Sequence, residues 1–401
     1  MEEKTITLSR MIAGSPGEVY LALTNSTQLR LWLCDLALVT AKPAGKVYLV
    51  WESGYFAAGK IVELIKDKKV SYEWRGSNDP ASSLVTFTLE PKKDHTFLTV
   101  EHSRLGQSIE WATTLDEIEK GWTISLENLA SMFETGIDLR ISQRPFIGIY
   151  PEEYHKTNEN DLIPIKRGVR LVDVVSGHSA EKAGLKSGDV ITFIDDFEVV
   201  DFTSMTRAIG HYKAGDSVTL TYYRKADKIT QEVLLSHLAM PRVPGDFVLL
   251  AEQIRQEQAK AYQELSEIIA KVKENEGDYR PAPKDWTIKE VIAHLIHSER
   301  DHQAWISNFV LNQEPVNDEF FGNLDAKVKA TVAVYPTLPE LMKALASSLE
   351  ETVLCIEYLP EEFIKSKSLM WRLTFMGTQL TLHTRSHFDQ ILENLKQARQ
   401  K

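Results

Sequence analysis

The C-terminal stretch "LTLHTRSHFDQI" places His383 and His387 four residues apart. On an α-helix, residues at this spacing lie one above the other on the same face. Two imidazoles arranged in this way can reach one metal ion, as they do in other helical two-histidine sites. The same pair is also compatible with two polar residues on an ordinary amphipathic helix. A third ligand from another helix would favour the metal site.

His294 is the candidate for the third ligand. If its helix runs antiparallel to the last helix, its early turns lie beside the late turns of that helix. Three neutral imidazoles leave coordination positions open, whereas a closed structural zinc site has four protein ligands. The sequence therefore predicts a site for a reactive divalent metal, with the ligands His294, His383 and His387.

Long helical segments after residue 245 predict a four-helix bundle that positions these histidines. The second and third segments each begin with a capping-box signature, at Thr287 and Glu290 and at Thr337 and Glu340. The connection from residue 311 to residue 336 is far longer than a bundle hairpin needs. Such a link allows the second and third helices to run parallel, and the second and fourth antiparallel.

The segments "DWTIKEVIAHLIHSERDH" and "LTLHTRSHFDQI" resemble the DinB/YfiT-like family of metal-binding bundles. The resemblance implies that His294, His383 and His387 occupy the ligand positions, with zinc or nickel as the expected metal. In characterised relatives it implies transfer of a low-molecular-weight thiol, or a related isomerisation or hydrolysis, in detoxification. His297 is a candidate for supporting a ligand by a hydrogen bond. No side chain identifies an acid–base partner, so catalytic residues are unassigned and enzyme status stays open.

Residues 1–140 predict a different fold. Segments such as "GKVYLVWES", "KVSYEWRG" and "SLVTFTLEP" alternate in polarity with a period of two, which is typical of antiparallel strands. The block closes with "TLDEIEKGWTISLENLASMFETG", whose apolar residues follow helical spacing. A long helix laid across a curved sheet can enclose a cavity.

"SPGEVYLALTNSTQLRLWL" and "GWTISLENLASMFETG" resemble the START-like SRPBCC superfamily, in its branch of homologues of the heat-shock chaperone ATPase activator. The resemblance implies a helix-grip fold with an apolar cavity that takes a small hydrophobic ligand. It carries no catalytic constellation, and aromatic core packing without chemistry is the alternative for the many tryptophans of this block.

Residues 143–240 contain "VVSGHSAEKAGLKSGDVITFIDD", which resembles PDZ domains of the bacterial HtrA-associated kind. PDZ domains bind the C-terminal peptide of a partner as an added strand and hold its carboxylate in backbone N–H groups. Ordinary core packing is the alternative for these apolar positions. The resemblance implies a peptide-binding set made of the loop residues Phe146, Ile147, Gly148 and Ile149 and the helix residues Met205 and Ile209.

Composition narrows the class of protein. The formal net charge of −11, from 46 basic and 57 acidic residues, argues against a nucleic-acid binder. No apolar run approaches the length of a membrane span, and the N-terminus lacks the pattern of a signal peptide. The two cysteines lie far apart in apolar segments, as expected of reduced thiols in the cytoplasm.

The predicted fold class is multidomain α+β: a START-like helix-grip domain (1–140), a mostly-β PDZ domain (143–240) and an all-α DinB-like four-helix bundle (245–401). Two classes of function remain open. One is a stress or detoxification protein whose metal site transfers a thiol or hydrolyses a substrate. The other is a non-catalytic scaffold, or a co-chaperone-like ATPase activator. Because DinB-like bundles often pair, a homodimer is also expected.

Overall fold

The computed structural model describes residues 3–156, 161–175, 177–237, 240–314 and 323–400. The chain forms two compact units. The first joins residues 1–137 to residues 241–401, and the second comprises residues 138–240. The predicted multidomain α+β fold is confirmed.

The N-terminal part of the first unit is an antiparallel sheet with the strand order β1-β7-β6-β5-β4-β3-β2. Its long helix α3 packs against β1. The strands are β1 (Glu3–Ile12), β2 (Leu36–Val39), β3 (Lys46–Val50), β4 (Phe56–Ile65), β5 (Lys69–Gly76), β6 (Ser83–Lys92) and β7 (His95–Gly106). The helices are α1 (Pro16–Thr24), α2 (Ser26–Trp32) and α3 (Ala112–Glu134).

A cluster of aromatic side chains occupies the space between this sheet and α3. The ring of Trp122 lies 5.6 Å from that of Trp74 and 5.5 Å from that of Phe87. Fully buried His102 accepts a hydrogen bond at Nδ1 from Trp122 Nε1 (3.1 Å) and donates from Nε2 to Ser83 Oγ (2.6 Å). Burial lowers the pKa of His102 to about 4, which keeps the ring neutral. The apolar-ligand cavity expected at this place stays a prediction.

The second unit is a small β-rich fold. Its main sheet has the order β14-β13-β11-β10-β9, with β12 paired to β11, and β8 pairs separately with β15. The strands are β8 (Pro145–Phe146), β9 (Ile149–His155), β10 (Arg167–Val174), β11 (Val190–Ile194), β12 (Phe197–Glu198), β13 (Ser217–Arg224), β14 (Asp227–Leu234) and β15 (Ser236–His237). The helices are α4 (Leu139–Ser142), α5 (Ser179–Lys182) and α6 (Phe202–Ile209).

The C-terminal part of the first unit is helical throughout its described elements. The predicted capping boxes of Thr287 and Thr337 are both formed. The first helix ends at Ile269, the long connection carries a helix of its own, and His387 interrupts the last helical segment. The helices are α7 (Phe247–Ile269), α8 (Glu274–Gly277), α9 (Ile288–Phe309), α10 (Leu324–Val334), α11 (Leu338–Glu357), α12 (Lys367–Ser386) and α13 (Phe388–Gln400).

The directions of these helices follow from which ends share a core. The early residue Val291 of α9 lies in the same apolar cluster as Leu341 of α11, and the late Ile306 shares another cluster with Val353. Helices α9 and α11 are therefore parallel. His294, early in α9, meets His383, late in α12, so those two helices are antiparallel. Both orientations confirm the prediction; residues 315–322 of the connection lie outside the described residues.

Glu314 joins the helical region to the N-terminal sheet domain within the first unit. Its side chain is only 4% exposed and forms an ion pair with Arg30 of α2 at 3.1 Å. From the helical region, Trp305 Nε1 donates to Glu314 Oε1 at 2.7 Å, and Arg372 Nη2 lies 3.4 Å from the same oxygen. One apolar cluster also contains residues of both parts, including Met132 and Leu369. The two parts thus share one core.

Candidate metal centre and peptide groove

Two helices and a helix junction bring the three predicted ligands together. His294 lies in the second turn of α9, behind the Thr287 cap, and its ring packs against Trp286 at 4.8 Å between centroids. His383 lies in the last turn of α12, and His387 is the residue between α12 and α13. The second turn of α9 therefore lies beside the end of α12, and the three rings meet there.

The three Nε2 atoms converge. His383 Nε2 lies 3.2 Å from His294 Nε2 and 3.2 Å from His387 Nε2. One ligand atom from each residue can be chosen so that all lie within 4.8 Å of one another. Zn–N bonds of about 2.0–2.1 Å at tetrahedral angles separate two nitrogens by about 3.3 Å. The cluster therefore fits a divalent metal site, with the rings steeply inclined to one another (73–83°).

Hydrogen bonds at the Nδ1 atoms, which point away from the centre of the cluster, determine the tautomers and thus whether the Nε2 lone pairs are free to bind a metal. His387 Nδ1 donates to Gln390 Oε1 at 2.8 Å, which leaves its Nε2 lone pair directed inward. His383 Nδ1 lies 3.2 Å from Ser298 Oγ and can donate to it. His294 Nδ1 is buried and has no hydrogen-bond partner among the described residues, so packing against Trp286 orients this ring. Such partners fix ring orientation in metal sites.

The surroundings keep two of the imidazoles neutral. Burial first, and then the neighbouring His387, His383 and His297, together lower the pKa of His294 to about 4. The pKa of His383 is also lowered to about 4, by burial and then by His387 and His302. Neutral imidazole is the form that binds metal ions. Within the described part of the chain, no carboxylate or thiol belongs to the cluster.

His297 lies one turn beyond His294 but faces α10. Its Nε2 atom lies 3.0 Å from the carbonyl oxygen of Lys327 and 2.7 Å from Thr331 Oγ1. The supporting role expected of His297 stays a prediction. Sequence reasoning missed Ser298, although its position four residues after His294 places it on the same helix face.

The middle unit contains an open sheet edge beside a helix. Strand β9 is the last strand of its sheet, and α6 packs next to it. On α6, Met205 is buried and Ile209 is half-buried. In the preceding loop, Ile147 is buried and Phe146 and Ile149 are half-buried. The peptide-binding role expected of these residues stays a prediction.

The loop before β9 offers backbone donors. Gly148 has φ +84°, the left-handed region that favours glycine. The carbonyl oxygens of Ile147 and Gly148 accept hydrogen bonds from Ala180 N and Val175 N. The N–H groups of Ile147 and Gly148 have no acceptor among the described residues. Consecutive free N–H groups of this kind form an anion-binding concavity.

Family models match three successive regions. Residues 13–134 match the "Activator of Hsp90 ATPase homolog 1-like protein" model, residues 145–235 the PDZ domain model, and residues 258–391 the DinB superfamily model. The chain therefore contains an activator-homologue domain, a PDZ domain and a DinB-like domain, in that order. No helix of the described residues is long and apolar enough to cross a membrane.

Individual relatives match shorter parts of the chain. The serine protease Do-like HtrA of Lactococcus lactis subsp. cremoris is 36% identical over 115 residues, 27% of this chain and 28% of that protein. HtrA of Lactobacillus helveticus is 37% identical over 71 residues, 18% of this chain and 17% of that protein. The chain thus spans only 17–28% of the length of these relatives.

Two solved structures are similar to about a third of the chain. The Aha1 dimer from Colwellia psychrerythraea is 21% identical and covers 33% of this chain and 96% of that one, with a TM-score of 0.30. An HSP90 activator from Plasmodium falciparum is 26% identical and covers 31% and 92%, with a TM-score of 0.28. Likenesses of this size support no functional argument.

Proposed function

We propose that His294, His383 and His387 bind a divalent metal ion, zinc or nickel, and that the site acts on a low-molecular-weight thiol in a detoxification reaction. The convergence of three Nε2 atoms, at 3.2 Å from His383 to each neighbour, carries this proposal. A bound ion would supply Lewis acidity and lower the pKa of a coordinated thiol. The DinB match supports both the ligand set and the class of reaction.

The chain's own residues prepare the site for this task. The low pKa values of His294 and His383 keep their lone pairs available at neutral pH. Three protein ligands leave room for a substrate group, which a four-ligand structural site would not. Trp286, packed on His294, places an apolar surface beside the metal position.

Cobalt substitution tests whether a thiol reaches the metal. Cobalt(II) bound to the purified full chain should show visible d–d bands, and added L-cysteine should produce a new sulfur-to-cobalt charge-transfer band. The His297→Ala variant is the matched control and should behave like the wild type, because His297 faces α10. A cobalt spectrum that thiols leave unchanged would refute the thiol-binding part of the proposal.

One observation favours a second function, that of a multi-module binding protein without catalysis. The pKa shifts of His294 and His383 arise from burial and from other histidines, and no acid contributes to them. A metal site without a neighbouring acid–base group suits a structural or sensing role. If thiols bind cobalt but no thiol transfer or hydrolysis follows with electrophilic substrates, this second function is supported.

The middle domain is proposed to bind the C-terminal peptide of a partner. The peptide would add to the open edge of β9, with its side chains toward Met205 and Ile209 and its carboxylate at the N–H groups of Ile147 and Gly148. The PDZ match supports this role.

Replacing Gly148 with alanine should weaken peptide binding at least about tenfold, since a strained loop residue costs about 1–3 kcal/mol. The new Cβ would lie 2.5 Å from His178 Cβ, at a φ of +84°. Fluorescence anisotropy with a peptide selected on the wild type from a C-terminal display library measures the effect. Gly177→Ala is the control, because Gly177 has φ +79° and nothing within 4 Å of the added carbon. Equal affinities of both variants and the wild type would contradict this groove.

The remaining assignments complete the proposal. The domain boundaries are taken as 1–140, 143–240 and 245–401, and the location as the cytoplasm. The N-terminal domain would bind a small hydrophobic ligand or a protein partner, with ATPase activation of a chaperone as the alternative. We also propose that two copies of the chain form a homodimer through the helical region.

A further inference from the structure

The hydrogen-bond acceptors behind two of the three histidines carry no charge. Gln390 Oε1 accepts from His387 Nδ1 at 2.8 Å, and Ser298 Oγ lies 3.2 Å from His383 Nδ1. Metal-bound histidines commonly donate instead to carboxylates, which raise the basicity of the ligand. Uncharged acceptors orient the rings equally well but add no negative charge.

The acids adjacent in sequence to both acceptors are placed elsewhere. Asp389, next to Gln390, is solvent-exposed. Glu299, next to Ser298, is buried and accepts a hydrogen bond from Gln258 Nε2 at 3.4 Å. In the described part of the chain, the cluster of potential ligands consists of histidines alone. The described residues thus place no carboxylate among the potential ligands.

This charge arrangement determines which external ligand fits. A divalent cation held by three neutral imidazoles keeps its full charge of two. In a half-buried site, where the effective dielectric constant is well below that of water, an anion gains more from this charge than a neutral donor does. All three ligand residues are half-buried.

We propose that Ser298 and Gln390 are positioning residues that hold the metal-binding tautomers, and that their lack of charge makes the site select an anionic external ligand, a thiolate or a small inorganic anion. The proposal rests on the metal binding proposed above.

The test compares anion binding and metal binding in cobalt-loaded full-length protein. Azide and neutral imidazole are titrated into the wild type, Gln390→Glu and Gln390→Leu, and the visible spectrum is followed; zinc affinity is measured by competition with a chelator. The wild type should bind azide in preference to imidazole. Gln400→Glu, at the far end of α13, is the charge-matched control.

Gln390→Glu should weaken azide binding about tenfold or more, since the new carboxylate cancels part of the cation's charge. Its zinc affinity should stay equal or rise, because a carboxylate makes His387 a better ligand. Gln390→Leu should lower zinc affinity about 10–100-fold. A merely structural role of Gln390 would not weaken azide binding in Gln390→Glu while zinc affinity is kept or raised.

Two failures are distinguishable. If the wild type binds neither cobalt nor zinc, the proposed metal site itself is wrong. If it binds both metals, but azide binding is unchanged in Gln390→Glu or imidazole is preferred in the wild type, the metal site stands and the anion-selecting role of Gln390 is overturned. Ser298→Ala should weaken zinc binding in the same range as Gln390→Leu, and an unchanged affinity would remove Ser298 from the proposal.

Discussion

Replacing His383 with alanine should reduce zinc affinity by more than about 100-fold, beyond the cost of losing a supporting hydrogen bond. His383 is the central ligand, because its Nε2 atom lies 3.2 Å from each of the other two. Without it, the remaining pair cannot enclose an ion from three sides. Metal analysis of the purified protein and chelator competition measure the loss.

His297→Ala is the matched control for this experiment. It removes an imidazole from the same region, but one that bonds to Lys327 and Thr331 on α10. It should retain the metal. Equal zinc content in His383→Ala and the wild type would mean that the three histidines are polar packing residues and not ligands.

Replacing Glu299 with glutamine should raise the free energy of unfolding by about 3 kcal/mol at pH 8 and change it little near pH 4.5, at about 1.36 kcal/mol per pKa unit. Glu299 is 3% exposed, and burial raises its pKa from 4.5 to about 7. Between these values the folded carboxyl keeps its proton while the unfolded one has lost it. Stability is therefore lost as the pH rises through this window. Glutamine has no proton to lose, and the partnerless Gln258 Oε1 can accept from its amide.

Urea unfolding at several pH values, followed by tryptophan fluorescence, measures this effect. All eight tryptophans lie outside residues 138–240, so the signal reports the first unit alone. The exposed Glu351→Gln on α11 is the control and should show no pH-dependent gain. A gain of the same size at pH 4.5 and pH 8 would exclude ionisation of Glu299 as the cause.

Local patterns predicted much of the fold. The capping boxes at Thr287 and Thr337 formed because a hydroxyl and a carboxylate three residues apart satisfy each other's backbone groups without help from elsewhere. The length of a connection allowed the antiparallel orientation of α9 and α12 without requiring it. The meeting of His294 with His383 and His387 followed from that pairing.

Other features depend on contacts distant in sequence. Helix α10 has little amphipathic pattern of its own, and it is held partly by His297, from another helix. The interruption at His387 was hidden because no glycine or proline marks it in the sequence. Ser298 contacts His383 only because the fold places α9 beside the end of α12, whereas Gln390 contacts His387 from three residues away in the sequence. Glu314 likewise met Arg30 across 284 positions of sequence.

The ion pair of Glu314 bears on how the chain can be dissected. The three family matches suggest that the chain could be divided into three fragments. A fragment that ends near residue 140, however, would lack the ion pair of Arg30 with Glu314 and part of the apolar cluster around it. Family matches and contacts therefore divide this polypeptide differently: the N-terminal and C-terminal parts form one compact unit, and the PDZ domain lies between them in the sequence. Deletion of residues 138–240 should therefore destabilise the first unit less than separate expression of its N-terminal or its C-terminal part.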